Sequence, residues 1–314
     1  MEWRSIANGG LQAVSAAQPA TLRGALRWGA PVAYAVALAT GIAWRGLPTS
    51  RDALFAWVLA GLLAISAADP RRGVRELVVD WLPFGAILFA YDLLRGSADS
   101  LFAAHVLPQL RFDELLFGGT APTVWLQQRL WGGPAHIDWL DYAAWGVYLT
   151  HFFATLLVAA GLWLGARHLF RRYVAMVSLL ALAGFATYAL FPAVPPWMAS
   201  TTVDLEHTDR IVRYVSQDVS VDFFGSLWEH GARYANDVAA MPSLHAAYAL
   251  LITLVLWRAV SRPWRALLAV YPLAMAFALV YTAEHYVSDV LVGWLYAAGA
   301  FVAVEWLARR RARS

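Results

Sequence analysis

The stretch YVSDVLVGWLYAAGAFVAVEWLARRRARS, residues 286–314, decides the class of fold. It is mainly apolar for more than 20 residues and ends in a cluster of arginines. A helix of about 20 apolar residues spans a bilayer, and arginines next to such a helix favour the cytoplasmic side. The stretch therefore predicts a membrane-spanning helix whose C-terminal end faces the cytoplasm.

The composition of the whole chain agrees with a membrane protein. Of 314 residues, 60% are hydrophobic and 14% are charged, whereas about 25% of the residues in soluble domains are charged. The 16 Trp and 13 Tyr are residue types that favour membrane–water interfaces. The absence of cysteine and lysine excludes disulfides, Cys-based zinc sites and Schiff-base chemistry. The arginines lie in short clusters between apolar runs, which does not indicate nucleic-acid binding.

We predict an all-α integral membrane protein with about eight spanning helices, of which the second is short. Two long polar segments, 96–140 and 193–240, interrupt the apolar pattern. The spanning segments are 29–47, 52–68, 77–95, 141–164, 173–192, 241–260, 265–283 and 286–308.

The distribution of the arginines predicts the orientation. Most of the 24 basic residues fall in segments that share a side with the two termini, so we expect both termini in the cytoplasm and the long segments outside. Within the first long segment, RFDELLFGGTAPTVWLQQRLW (111–131) is typical of short amphipathic helices that lie in the membrane interface around a Gly-Gly turn. A structural cap and a role in gathering substrate are both open for these interfacial helices.

Two histidines fall at the outer ends of predicted helices. His245 lies in AAMPSLHAAYALL (239–251), and Asp289 follows His285 by four residues. If helical, this spacing places His285 and Asp289 on one face, one turn apart. The aspartate can then accept a hydrogen bond from one imidazole nitrogen, which leaves the other nitrogen as a nucleophile or base. The topology puts both histidines at the same membrane depth.

Two histidines at one site suit phosphoryl transfer. One attacks phosphorus, and the other protonates the leaving oxygen and then deprotonates an incoming hydroxyl or water. Ser243 can hold a phosphoryl oxygen beside the N–H groups of a helix start, and Pro242 fits a first helical turn. This chemistry requires no cofactor or metal ion, and zinc bound by His245, His285 and Asp289 is the alternative.

Several motifs resemble one known family. PSLHA and HYVSD are similar to the second and third signature motifs of the type 2 phosphatidic acid phosphatase superfamily, Pro-Ser-x-His and His-x-x-x-Asp. The wider pattern resembles bacterial members of the inositol phosphorylceramide synthase branch, through YDLLRG (91–96), YLTHF (148–152), FPAVPPW (191–197), AAMPSLHAA (239–247) and HYVSDVLVG (285–293).

The resemblance covers roughly residues 77–308. It implies a six-helix catalytic core formed by the last six predicted helices, with interfacial helices on the extracytoplasmic side. Residues 77–314 then form the catalytic membrane domain, and residues 1–76 form an N-terminal segment with two extra helices.

The resemblance also implies roles for single residues. His285 becomes the phosphate-attacking nucleophile, Asp289 its orienting partner, His245 the acid–base residue and Ser243 a phosphate ligand. The chain departs from the hydrolytic members, because it has no lysine for their Lys-x₆-Arg-Pro motif and has Leu279 where they have an arginine. Another cation must therefore help to neutralise the phosphate. The outer-side candidates are Arg95, Arg213 and Arg233.

Three further ionisable residues are candidates for function. His151 lies about ten residues into the fourth predicted helix, and Asp92 lies at the outer end of the third. Ionisable groups inside a membrane are functional hypotheses by default, so we expect both at the substrate site. Helix packing for His151 and an exposed interfacial position for Asp92 are the alternatives. Glu284 either adjusts the pKa of His285 or faces solvent.

We therefore predict a phosphotransferase in a bacterial cell membrane, with its active site on the extracytoplasmic side. It would move a phosphorylated head group, such as inositol phosphate, between lipid or glycan alcohols through a phosphohistidine. The partners would be a phospholipid or polyprenyl phosphate and the bilayer, and no nucleic acid. A lipid or polyprenyl phosphate phosphatase, with water as acceptor, is the alternative. A proton-coupled transporter is disfavoured, because the chain has no inverted repeat.

Overall fold

The computed structural model describes residues 20–46, 50–95, 102–201, 206–219 and 238–313, without the side chains of residues 20–25, 45, 51 and 95. In this part of the chain the regular elements are helices. They are α1 (Ala20–Arg45), α2 (Arg51–Ile65), α3 (Pro70–Arg95), α4 (Leu107–Leu116), α5 (Pro122–Leu130), α6 (Trp139–Gly165), α7 (Arg167–Leu190), α8 (Pro196–Ala199), α9 (Ile211–Val219), α10 (Leu244–Leu256), α11 (Arg262–Tyr281) and α12 (Val287–Arg311).

Five of the described helices are long and apolar enough to cross a membrane, namely α3 as far as Leu94, α6, α7, α11 and α12. They identify an integral membrane protein, and the all-helical fold is confirmed for the described residues. Each of the eight predicted segments contains a helix, but three of these helices fall outside the set of five. Two of them, α2 and α10, have only 15 and 13 residues. The number eight therefore stays a prediction.

Helix α10 occupies the centre of the bundle and packs against α6, α7, α11 and α12. It approaches α12 closely at Gly293, where an added Cβ would overlap the backbone carbonyl of Ser243. Only glycine lets these two backbones meet, because any side chain would push them apart. The contact fixes the start of α10 against the first two turns of α12.

The interfacial segment 111–131 folds as predicted into two short helices around a glycine turn. Helices α4 and α5 are joined through Gly118 and Gly119, whose φ angles of 74° and 97° favour glycine. Helix α4 packs against α12, and α5 packs against α11. The two short helices therefore cover the end of the bundle at which α10 and α12 begin.

An extended segment before α8 completes the cap at this end of the bundle. Val194 N donates to His105 O at 2.9 Å, and Ala193 N donates to Val238 O at 2.6 Å. Ala240 N in turn donates to Ala193 O at 3.1 Å. The backbone around Ala193 thus ties the loop before α4 to the strand-like stretch that leads into α10. These bonds hold the entry to α10 at the same end of the bundle.

Candidate active site

The first motif forms the start of α10. Ser243 is its N-cap, and the buried Oγ accepts a hydrogen bond from Ala246 N at 3.3 Å. Side-chain oxygens at this position satisfy N–H groups that have no partner within the helix. Pro242 precedes the cap, so its predicted place in the first turn is wrong, and its carbonyl instead accepts from the hydroxyl of Tyr188 at 2.7 Å. A phosphate contact for Ser243 stays a prediction.

The second motif begins in a tight turn between α11 and α12. Ala283 has φ of 62°, in the left-handed region that non-glycine residues rarely occupy. The N–H groups of Glu284 and His285 both donate to Leu279 O, at 3.0 and 3.2 Å. His285 therefore lies in the turn, ahead of the first helical residue, Val287. The assumption that His285 and Asp289 share one helix is wrong.

The turn nevertheless brings the predicted pair together. Asp289 is fully buried, and its Oδ2 accepts from Tyr286 N at 2.9 Å. The same oxygen lies 3.5 Å from Nδ1 of His285, which is 6% exposed. The carboxylate thus faces one nitrogen of the imidazole, as the spacing of the motif predicts, but it does so from the first turn of α12.

The two motifs meet through their backbones. Ser243 N donates to Asp289 O at 3.0 Å, which couples the start of α10 directly to the first turn of α12. The rings of His245 and His285 consequently lie with their centroids 5.6 Å apart and their planes inclined at 57°. Two imidazoles at this separation can contact one phosphoryl group.

His151 belongs to the same cluster of rings. It lies on α6 with its ring centroid 3.9 Å from that of His245. Tyr148, one turn earlier on α6, stacks on His245 at 5.0 Å. His245 is thereby held between α6 and the turn that carries His285. The predicted placement of His151 near the site agrees with this geometry, although its role stays a prediction.

Asp113 on α4 is a residue of the site that the sequence did not single out. It is fully buried and accepts hydrogen bonds from Val287 N at 2.8 Å and Ser288 N at 2.9 Å. A distant interfacial helix therefore caps the helix that carries Asp289. Burial raises the pKa of Asp113 to about 6, although the two backbone hydrogen bonds act to lower this pKa. The only signal in the sequence is an acidic residue within an amphipathic segment.

A second unpredicted contact is the ion pair between Arg210 and Glu284. Arg210 Nε and Nη2 donate to the two carboxylate oxygens of Glu284 at 2.7 and 3.2 Å. The guanidinium lies over the ring of Trp197, 4.3 Å from its centroid. Glu284 is buried, so the alternative that it faces solvent is wrong. This pair places an arginine beside the residue that precedes His285.

The other predicted residues lie away from this cluster or cannot be placed. Asp92 is half-buried on α3, which packs mainly against α2 and α7. Arg213 is exposed on α9. The side chain of Arg95 and the whole of Arg233 lie outside the described residues. Among the described residues, no group of three or more His, Asp or Glu is placed to hold a metal ion.

The helical membrane fold and the two histidine motifs define a class of membrane protein. Comparison with known families identifies the same class. The chain belongs to the PAP2 superfamily, whose family model matches residues 115–303 and so includes both motifs. The family predicted from the motifs is confirmed.

One curated relative narrows this class. The chain is 29% identical over 142 residues to phosphoinositol dihydroceramide synthase of Bacteroides thetaiotaomicron, a match that covers 40% of this chain and 43% of that protein. The chain thus spans less than half the length of that relative. No solved structure shows significant similarity to the chain. The family and the relative together support an enzyme that acts on lipid phosphate.

Proposed function

We propose that this protein is a membrane phosphotransferase that moves a phosphorylated head group, such as inositol phosphate, from a donor lipid to a lipid or glycan alcohol. The observation that carries the proposal is that two histidines from separate motifs meet. The ring centroids of His245 and His285 are 5.6 Å apart, and Asp289 faces the ring of His285. The similarity to phosphoinositol dihydroceramide synthase supports a transferase.

The first half of the reaction forms a phosphohistidine on His285. Nδ1 faces Asp289 at 3.5 Å, so Nε2 is the nitrogen that attacks phosphorus. Asp289 holds this tautomer and stabilises the positive charge that develops on the ring. The N–P bond forms as the P–O bond to the donor alcohol breaks, and protonated His245 gives its proton to the leaving oxygen.

The second half transfers the phosphoryl group to the acceptor. Neutral His245 takes the proton of the incoming hydroxyl, whose oxygen bonds to phosphorus while the N–P bond breaks. Both groups then regain their starting protonation states. Water in place of the alcohol makes the same steps a hydrolysis, so the occupancy of the acceptor position separates transferase from phosphatase.

Arg210 is the cation that we assign to the phosphate in place of the missing lysine and arginine motifs. Leu279, at the motif position of the arginine, is fully buried in an apolar cluster and carries no charge. Arg210 is 22% exposed and is held beside Glu284, next to the nucleophile. A guanidinium presents five N–H groups in a rigid fork, so Arg210 can bind a phosphoryl oxygen while Glu284 orients it.

A direct test is the trapping of the intermediate. Purified protein in nanodiscs is given phosphatidylinositol, phosphatidic acid or polyprenyl diphosphate labelled in the phosphate, each with and without ceramide or diacylglycerol as acceptor. We expect acid-labile, base-stable label on the wild-type protein and none on His285→Ala, because a phosphohistidine is the only covalent species in this scheme. The matched control is His168→Ala, which removes an exposed histidine at the start of α7.

The products distinguish the two reactions. Labelled phospholipid formed only when an alcohol is present supports the transferase, whereas free phosphate or inositol phosphate with every acceptor supports hydrolysis. If His285→Ala keeps the turnover of the wild type on every substrate, the assignment of the nucleophile is wrong.

A further inference from the structure

An apolar groove lies between the interfacial helices and α11. Its volume is about 470 Å³, within the range of about 300–1,000 Å³ that is typical of ligand pockets. One wall is the turn and first residues of α5, and the other is the outer part of α11 around Ala276. Among the described residues that line the groove, only Thr120 and Trp125 have a polar atom in the side chain.

The groove reaches the catalytic turn. Val287 is part of its lining, and the backbone N–H of this residue is held by Asp113. His285 lies two residues earlier in the chain. Two residues span at most about 7 Å, so the groove begins within the reach of a long hydrocarbon chain whose polar head lies at His285.

The groove is also open to the surroundings of the bundle. Phe117, Trp125 and Phe277 line it and are 50%, 47% and 37% exposed. Large apolar side chains exposed at the outer end of a spanning helix face lipid, and aromatic residues favour this interfacial depth. A hydrocarbon chain can thus enter sideways from the membrane without crossing water.

We propose that this groove holds one acyl chain of the donor phospholipid whose phosphate is attacked by His285. The inference rests on the proposed function and adds to it the place of the lipid tail. At about 30 Å³ for a group the size of a water molecule, the cavity has room for roughly 16 such groups. A long acyl chain is therefore of the right size to fill it.

The groove acts on the direction of the lipid more than on its affinity. A chain that leaves the bilayer for an apolar groove exchanges one hydrocarbon surrounding for another, so burial contributes little free energy. Confinement between α5 and α11 does restrict the position of the glycerol end relative to His285. Filling the groove should therefore lower turnover of long-chain donors, whose chains no longer fit, and spare short-chain donors.

Ala276→Phe tests this selectivity. Turnover of phosphatidylinositol with 16-carbon chains is expected to fall about tenfold, while that of the six-carbon form stays within about twofold, as a misplaced substrate loses rate steeply. The matched control is Ala266→Phe, the same substitution at an exposed position of α11 ten residues before Ala276 in the chain. It should leave both rates unchanged. An equal loss on both donors, or an unchanged ratio, overturns the proposal.

A second measurement needs no turnover. Phosphatidylinositol with a diazirine on one acyl chain is photolysed with His285→Ala protein in phosphatidylcholine nanodiscs, and the labelled peptides are identified by mass spectrometry. We expect label in residues 117–126 and 276–287 that unlabelled phosphatidylinositol displaces and that Ala276→Phe removes. Label spread evenly over the spanning helices, or not displaced, contradicts the proposal. An active His285→Ala protein would instead refute the proposed function. The labelling requires no turnover, so its pattern reports the position of the acyl chain separately.

Discussion

Replacing Asp113 with asparagine tests whether the interfacial helix α4 sets the geometry of the catalytic turn. Both carboxylate oxygens accept backbone hydrogen bonds, from Val287 N at 2.8 Å and Ser288 N at 2.9 Å. Asparagine has the same shape, but only one of its terminal atoms is an acceptor, and its NH₂ group would face the second N–H. One bond is lost, and a buried donor at the start of α12 is left unsatisfied.

The two contacts give the size of the effect on catalysis. A hydrogen bond to a charged acceptor contributes about 1.5–3 kcal/mol. If that free energy holds His285 and Asp289 in position for the reaction, its loss lowers kcat by roughly 10- to 100-fold. We expect KM to change little, since Asp113 is fully buried and both of its carboxylate oxygens already accept backbone N–H groups.

The free energy of unfolding should respond differently. Burial raises the pKa of Asp113 from 3.8 to about 6, so the ionised form costs roughly 3 kcal/mol relative to the neutral acid in the folded protein. Asparagine carries no such cost, and the pKa shift already includes the effect of the two hydrogen bonds. At neutral pH the variant should therefore unfold at a temperature no lower than that of the wild type while its kcat is reduced.

The pH dependence follows from the direction of this shift. Because the folded pKa lies above the unfolded value, Asp113 contributes stability below about pH 4 that is lost as the pH rises through about 6. The kcat of the wild type should instead rise as Asp113 ionises, since the neutral acid, like asparagine, keeps only one acceptor for the two N–H groups. The ratio of wild-type kcat to Asp113→Asn kcat should thus fall roughly five- to tenfold between pH 7.5 and pH 5, where about a tenth of Asp113 is still ionised.

The assay measures kcat and KM for labelled phosphatidylinositol across this pH range, with thermal unfolding in parallel. The ratio of the two proteins cancels the titration of the histidines, which both share. Glu114→Gln is the matched control, because it neutralises the adjacent carboxylate of the same helix. A kcat within about twofold of the wild type at pH 7.5, or a ratio that does not vary with pH, refutes the positioning role.

Two further substitutions probe the backbone contact and the proposed phosphate cation. Gly293→Ala should destabilise the protein by about 1–3 kcal/mol in denaturant unfolding, because the added Cβ overlaps the backbone of Ser243. Gly299→Ala, which has open space around its Cβ, should not destabilise it. Equal free energies of unfolding for the two variants would contradict the close approach. Arg210→Lys should lower kcat/KM about tenfold, since an ammonium cannot make the forked contacts of a guanidinium to Glu284 and phosphate. Arg213→Lys, at an exposed residue of α9, should have no effect, and a fully active Arg210→Lys argues for a purely structural ion pair.

Much of the fold was predictable because the signals for it are local. Apolar runs of about 20 residues and flanking arginines predict spanning helices from the cost of exposing polar groups to lipid. The glycine pair at 118–119 likewise predicts a turn between interfacial helices, which the structure has. The number of spans was less predictable. Two of the predicted spanning segments form helices of only 15 and 13 residues, α2 and α10.

The site divides in the same way. The sequence alone identified His245, His285 and Asp289 as candidates. Imidazole can act as a nucleophile, acid or base, and Asp289 lies close to His285 in the sequence. It also predicted that the aspartate would face the imidazole, although the histidine lies in a turn and not in the helix.

Only the tertiary structure decided which groups support that pair. Asp113 caps α12 from 174 residues away, and Arg210 reaches Glu284 across 74 residues. The N–H groups at a helix start require an acceptor, and a buried carboxylate requires a partner, but many side chains could satisfy either need. Which one does so depends on the packing of α4 and the rest of the cap against the bundle, and no local pattern in the sequence predicts that contact.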